Sequence, residues 1–109
     1  MIDTEPDLFA PPSTRGPQRG VYVGTCSWTD PSLIKSKRFY PAGCSSGEAR
    51  LRFYASQFPV VEVDSSYFAM PSAANSQRWV ERTPADFIFT FKAFRLLSGH
   101  LTQPEAVPA

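Results

Sequence analysis

The chain has 109 residues, enough for one small domain. Hydrophobic residues make up 42% and aromatics 14%, so material for a core is present and disorder of the whole chain is excluded. The formal charge is +1 with no block of Lys or Arg, which gives no strong nucleic-acid signal.

No stretch approaches the ~20 apolar residues of a membrane span, so no membrane contact is expected. Acids stand near the N-terminus where a secretory signal would carry bases. Cys26 and Cys44 are too far apart for a CxxC motif and read as buried, reduced thiols. The expected location is therefore cytoplasmic.

Residues 1–19 carry Pro6, Pro11, Pro12 and Pro17 among polar filler and read as a disordered, proline-rich leader. Gly20-Val21-Tyr22-Val23-Gly24 is a short apolar run that predicts a first buried strand, with Thr25 to Thr29 as a polar loop. Asp30-Pro31 suits a helix entry, and one or two turns are expected over Ser32 to Ser36. Ser45-Ser46-Gly47-Glu48 fits a capping box opened by Ser45, for a helix running to about Gln57. Leu51, Tyr54, Ala55 and Phe58 share its apolar face, leaving Arg50 and Arg52 outward, and Pro59 stops it.

A second strand is predicted over 60–65, a third helix over about 73–82 after Pro71-Ser72, and a third strand over 87–93. Trp79 and Val80 are the expected core contacts of that helix. Residues 101–109 have no period and read as an irregular tail. The order strand, helices, strand, helix, strand argues for an α/β fold with a parallel sheet.

The second strand holds the strongest hint of a site. Side chains of a strand alternate faces, so Val61 and Val63 point one way while Glu62, Asp64 and Ser66 point the other. An unpaired buried carboxylate is costly, so something polar must meet that face. In the third strand Phe87, Phe89 and Phe91 take the helix side, and Thr90 and Lys92 the other. If the two strands are neighbours, Glu62 or Asp64 could reach Lys92 across the sheet.

Several segments in register carry a resemblance. They are Val23-Gly24-Thr25-Cys26-Ser27-Trp28, Arg38-Phe39-Tyr40-Pro41, Arg50-Leu51-Arg52-Phe53-Tyr54-Ala55, Val61 to Pro71, Trp79 to Pro84, and Phe87 to Arg95. Together they resemble the YecE-like family, domain of unknown function seventy-two, over about residues 20–100. The resemblance implies a TIM-barrel-like (β/α) fold and no established reaction. The family commonly shows Thr-His where this chain has Ser98-Gly99-His100, so His100 is the candidate match.

A closed barrel of this type takes about 250 residues. The expectation is therefore a partial barrel of about three parallel strands, a truncated product or a fragment, matching the N-terminal portion of the family. Sites on such a barrel lie at the carboxyl ends of its strands. Asp64, Glu62 and Lys92 are the catalytic candidates: Asp64 nearest that end, Glu62 deeper, and Lys92 as base, amine or anion contact. Each also has a structural reading, as an ion pair or a snorkelling surface charge.

Trp28, Tyr67, Arg95 and His100 are the substrate-binding candidates, the aromatics for stacking and Arg95 for an anion. For Trp28 and Tyr67 the alternative is a roof over the barrel, and for His100 a solvent-facing loop residue. The motifs assign neither a metal site nor a cofactor, and nucleophilic catalysis by Ser27 or Ser66 has little support without a GxSxG elbow. The preferred reading is an enzyme acting on a small polar or anionic metabolite, inactive as these three strands alone. The rival is a non-catalytic interaction module with a structural charge network. Three strands also leave both sheet edges unpaired, which admits self-association.

Overall fold

The computed structural model describes residues 20–108. Three parallel strands form one sheet in the order β1 (Gly24–Cys26), β2 (Val60–Val63), β3 (Ile88–Phe91). Between them lie α1 (Pro31–Lys35), α2 (Gly47–Gln57) and α3 (Ala73–Glu81). Short 3₁₀ turns follow at Ser65–Tyr67 and Pro104–Ala106.

Helix starts follow local chemistry. The Asp30 carboxylate caps α1 by accepting from the Ser32 amide at 2.8 Å, with Pro31 in the first turn where its missing N–H is harmless. Ser72 caps α3 through the Asn75 amide at 3.1 Å. For α2 the cap is Ser46, whose hydroxyl accepts from the Ala49 amide at 3.0 Å. The Ser45 capping box is therefore displaced by one residue. Glu48, freed from that role, pairs with Arg52 at 3.0 Å and Arg82 at 3.7 Å.

One face of α2 enters the core as its spacing predicts: Leu51, Tyr54 and Ala55 are fully buried. Tyr54 and Ala55 meet Val61, Phe87 and the half-buried rings of Trp28, Phe39, Phe58 and Phe89 on one side of the sheet. Arg50 is not turned outward. Its guanidinium lies 5.9 Å from the centroid of the Tyr40 ring, a cation–π distance, because the apolar stripe is wide enough to take its stem. On α3, Trp79 stacks on Phe89 at 6.2 Å, whereas Val80 is 62% exposed and no core contact. Adjacent helix positions diverge by about 100°, so the two could not share one face.

The first strand is displaced from 20–24 to 24–26. Register pairs Gly24 with Val60, Thr25 with Val61 and Cys26 with Glu62. Val21, Tyr22 and Val23 are exposed. The Tyr54 hydroxyl explains the shift: it accepts from the Thr25 amide at 2.7 Å and donates to the Val60 carbonyl at 3.1 Å. A buried phenol needs such partners, and a polar segment supplies them where an apolar run would not. Gly24 permits the close approach, since a Cβ there would stand 2.0 Å from the Val60 carbonyl oxygen. Cys26 is consequently exposed and Cys44 half-buried; both thiols are free, and neither is the buried core residue expected.

Candidate functional site

The sheet has two unlike faces. Val61, Val63, Phe87 and Phe89 face the helices. The other face carries Cys26, Glu62 and Thr90 side by side on three neighbouring strands, at one level of the register. The Cys26 thiol donates to a Glu62 carboxylate oxygen at 3.6 Å. That carboxylate, foremost by its charge and also by its hydrogen bond, pushes the Cys26 thiol above its ordinary value.

β2 ends at Val63, shorter than the 60–65 expected. Asp64 has helical backbone angles (φ −92°, ψ −24°) and leads into the 3₁₀ turn, so strand parity does not govern it or Ser66. Ser66 is 4% exposed, and its hydroxyl lies 2.9 Å from the Val63 carbonyl and 2.7 Å from that of Lys92. It holds the ends of β2 and β3 together rather than joining the polar row. Beyond β3 proper, the Lys92 amide still donates to the Val63 carbonyl at 3.0 Å. Phe91, expected beneath the helices, is 53% exposed. α3 covers the strand only as far as Phe89, where Trp79 stacks.

The loop after β3 folds back on the turn after β2. The Arg95 amide donates to the Tyr67 carbonyl at 3.0 Å and the His100 amide to the Arg95 carbonyl at 2.9 Å. A cavity of about 490 Å³ opens between them at the carboxyl ends of the strands, lined by Asp64, Tyr67, Phe68, Lys92, Ala93 and Ser98. Asp64 and Tyr67, from the turn after β2, are thus brought together with Lys92 from the end of β3. Phe68, Ala93 and Ser98 went unpredicted, because they sit in loops whose course no periodicity reveals.

The other candidates fall elsewhere. Glu62 lies one level deeper, in the row with Cys26 and Thr90. Trp28 packs on the helix side, edge-on to Trp79 at 5.3 Å and to Phe89 at 6.3 Å, with its carbonyl accepting from the Tyr40 hydroxyl. It sits across the sheet from Glu62. His100 is exposed, edge-on to the Tyr67 ring at 5.8 Å, and its Nδ1 is 2.9 Å from the Ser98 hydroxyl. Arg95 is half-buried, with a buried Nε that has no hydrogen-bond partner among the described residues.

The expected contact of Glu62 or Asp64 with Lys92 is not made. Among the described residues the ion pairs join Glu48 to Arg52 and Arg82. Asp64 has turned into the 3₁₀ helix instead of continuing the strand. No group of three or more potential metal ligands occurs among the described residues, and no helix among them is long and apolar enough to cross a membrane.

A parallel sheet with helices on one side and a cleft at its carboxyl ends defines an α/β protein. The chain belongs to the family described as protein of unknown function DUF72, which it matches over residues 22–108. It is similar to UPF0759 protein YunF of Bacillus subtilis (strain 168), 38% identical over 80 residues. That match covers 73% of this chain and 26% of the relative, so the chain spans about a quarter of that protein's length. No solved structure matches the chain.

Proposed function

We propose that the cleft between the turn after β2 and the loop after β3 binds a small anionic or polar metabolite. In this reading the chain supplies the first three βα units of a TIM-barrel-like enzyme. The observation that carries it is the convergence of Asp64, Lys92 and Tyr67 on one cavity at the carboxyl ends of parallel strands. That is where (β/α) barrels and open α/β sheets place their ligands.

Lys92 would contact the anion and Asp64 would carry a proton, with the Tyr67 and Phe68 rings shielding the ligand from water. Glu62, one level below, would act on a ligand reaching deeper. Arg95 borders the cleft through its backbone bond to Tyr67, and His100 through its own bond to Arg95, so both would adjust as a ligand enters. Three strands offer a binding half-site, and turnover would need further strands. A cytoplasmic location is consistent with two free thiols.

The rival reading, an interaction module with a structural charge network, expects carboxylates paired with Lys92. It has less support, since neither Asp64 nor Glu62 makes such a pair.

The test is titration of the 109-residue chain with inorganic phosphate and with small dicarboxylates, followed by amide and lysine NMR shifts. Saturable shifts at Lys92 and Tyr67 are expected, with affinity falling about tenfold in Lys92→Ala, the scale of one charge-assisted contact. Equal affinity in Lys92→Ala, or no saturation with any of these anions, would overturn the reading.

A further inference from the structure

The hydroxyl of Ser98 stands between the cleft and an imidazole. Ser98 lines the cavity together with Asp64, Tyr67 and Lys92. Its oxygen lies 2.9 Å from His100 Nδ1 and 3.2 Å from the Arg95 carbonyl oxygen. A serine hydroxyl has one proton to donate. It can serve the carbonyl, the ring nitrogen or a molecule in the cleft, but only one of them at a time.

The ring is held for this contact. Gly99 has φ 77°, a left-handed turn that brings residue 100 back to residue 98. The His100 amide donates to the Arg95 carbonyl at 2.9 Å, and the His100 carbonyl accepts from the Thr102 hydroxyl at 2.9 Å. The imidazole meets the Tyr67 ring edge-on at 5.8 Å. These contacts lie within the loop after β3, or between it and the turn after β2, so they hold whatever stands beside the outer edge of β3.

The protonation state of the ring decides where the hydroxyl proton goes. A neutral imidazole with its proton on Nε2 presents a lone pair at Nδ1. That lone pair takes the Ser98 proton and leaves the serine oxygen only lone pairs to offer the cleft, where an anion finds no donor. An imidazolium has no such lone pair. Its Nδ1–H donates to the Ser98 oxygen, and the hydroxyl proton is released to a second acceptor: the Arg95 carbonyl in the free chain, an anion when one is bound. Histidine is the side chain whose charge changes between about pH 5 and 8. The titratable and charged groups set around this unit are Asp64 and Tyr67 from the turn after β2, Lys92 from the end of β3, and Arg95 in its loop.

Resting on the reading of the cleft as an anion site, we infer that Ser98 is a further ligand contact and His100 its positioning residue, which makes Ser98 a donor to the anion when the imidazole is protonated. Anion affinity therefore rises as the pH falls through the titration of that ring.

Titration of the 109-residue chain with sulfate, whose own charge is constant from about pH 5.5 to 8, tests this through amide NMR shifts. Affinity is expected to fall about tenfold from the acidic to the basic end, the scale of one charge-assisted hydrogen bond. Ser98→Ala should bind at the weak level at every pH. His100→Phe, which keeps a ring against Tyr67, should lose the pH dependence, and Ser98→Thr, which keeps a hydroxyl, should retain it. A profile lost in His100→Phe but kept in Ser98→Ala would mean that the ring's charge acts without the serine, and would overturn the assignment. So would a profile unchanged in both variants, or failure of sulfate to saturate at any pH. The anion site itself is judged separately, by phosphate and dicarboxylates with Lys92→Ala. Binding that needs Lys92 yet ignores Ser98, His100 and pH would leave the cleft standing without this unit.

Discussion

Cys26 and Glu62 show how one contact decides reactivity. The thiolate is the reactive form of cysteine, and a carboxylate beside it disfavours that form. The Cys26 thiol is pushed upward mainly by the charge of Glu62 and also by the bond it donates to that carboxylate. The thiolate population therefore grows only at a higher pH than for an ordinary cysteine. Glu62→Gln removes the charge while keeping an acceptor oxygen. Iodoacetamide should then alkylate Cys26 several-fold faster near pH 8, because more of it is thiolate there. Peptide mass spectrometry, with Cys44 as internal control, reads the rate; an unchanged rate would mean the carboxylate does not govern the thiol.

At the scale of elements, the β1–β2 seam is the most demanding piece of packing. Gly24→Ala would set a methyl group 2.0 Å from the Val60 carbonyl oxygen, a backbone atom that cannot rotate aside. β1 would have to move off β2 and strain the hydrogen bonds from Thr25 to the Tyr54 hydroxyl. The amides of Thr25 and Ser27, held across that seam, are expected to exchange with deuterium at least about tenfold faster. An unchanged exchange rate would show that the seam gives way easily.

The elements differ in how well the sequence announces them. α2 is legible because Leu51, Tyr54 and Ala55 repeat at helical spacing, and α3 because Pro71-Ser72 marks its start. The parity of Glu62, Thr90 and Lys92 on one face is equally plain from alternation alone. β1 is not. Its residues Thr25 and Cys26 look like a loop, and only the Tyr54 hydroxyl, 29 positions away, draws Thr25 into the sheet. The turn of Asp64 out of the strand is hidden for a similar reason. Ser66 reaches the carbonyl of Lys92, 26 positions away, and no local pattern encodes that contact.

At the scale of the whole molecule, helices cover one side of the sheet and solvent meets the other. The buried hydrophobic residues among those described number seven: Leu51, Tyr54, Ala55, Val61, Val63, Phe87 and Phe94. Large apolar side chains remain outside, Leu97 at 77% and Leu101 at 85% exposure among them. A small domain with so few buried groups is expected to be marginal. Urea unfolding at low protein concentration should be broad, with dye binding to exposed apolar surface before the midpoint. A steep two-state transition of the monomer would contradict this.

The cleft candidates Asp64, Lys92 and Tyr67 sit at the carboxyl rim of the sheet because the strands run parallel. Their carboxyl ends all arrive at one rim, and the loops that follow share it.

The phenol of Tyr54 has one more consequence. It ties the entry strand to the middle of α2 through a single oxygen that serves Thr25 and Val60 at once. β1 therefore has no independent existence: if that turn of α2 unwinds, the strand's amide loses its acceptor. The outermost ribbon and the central helix rise and fall as one cooperative unit, stitched at a point that neither segment contains by itself.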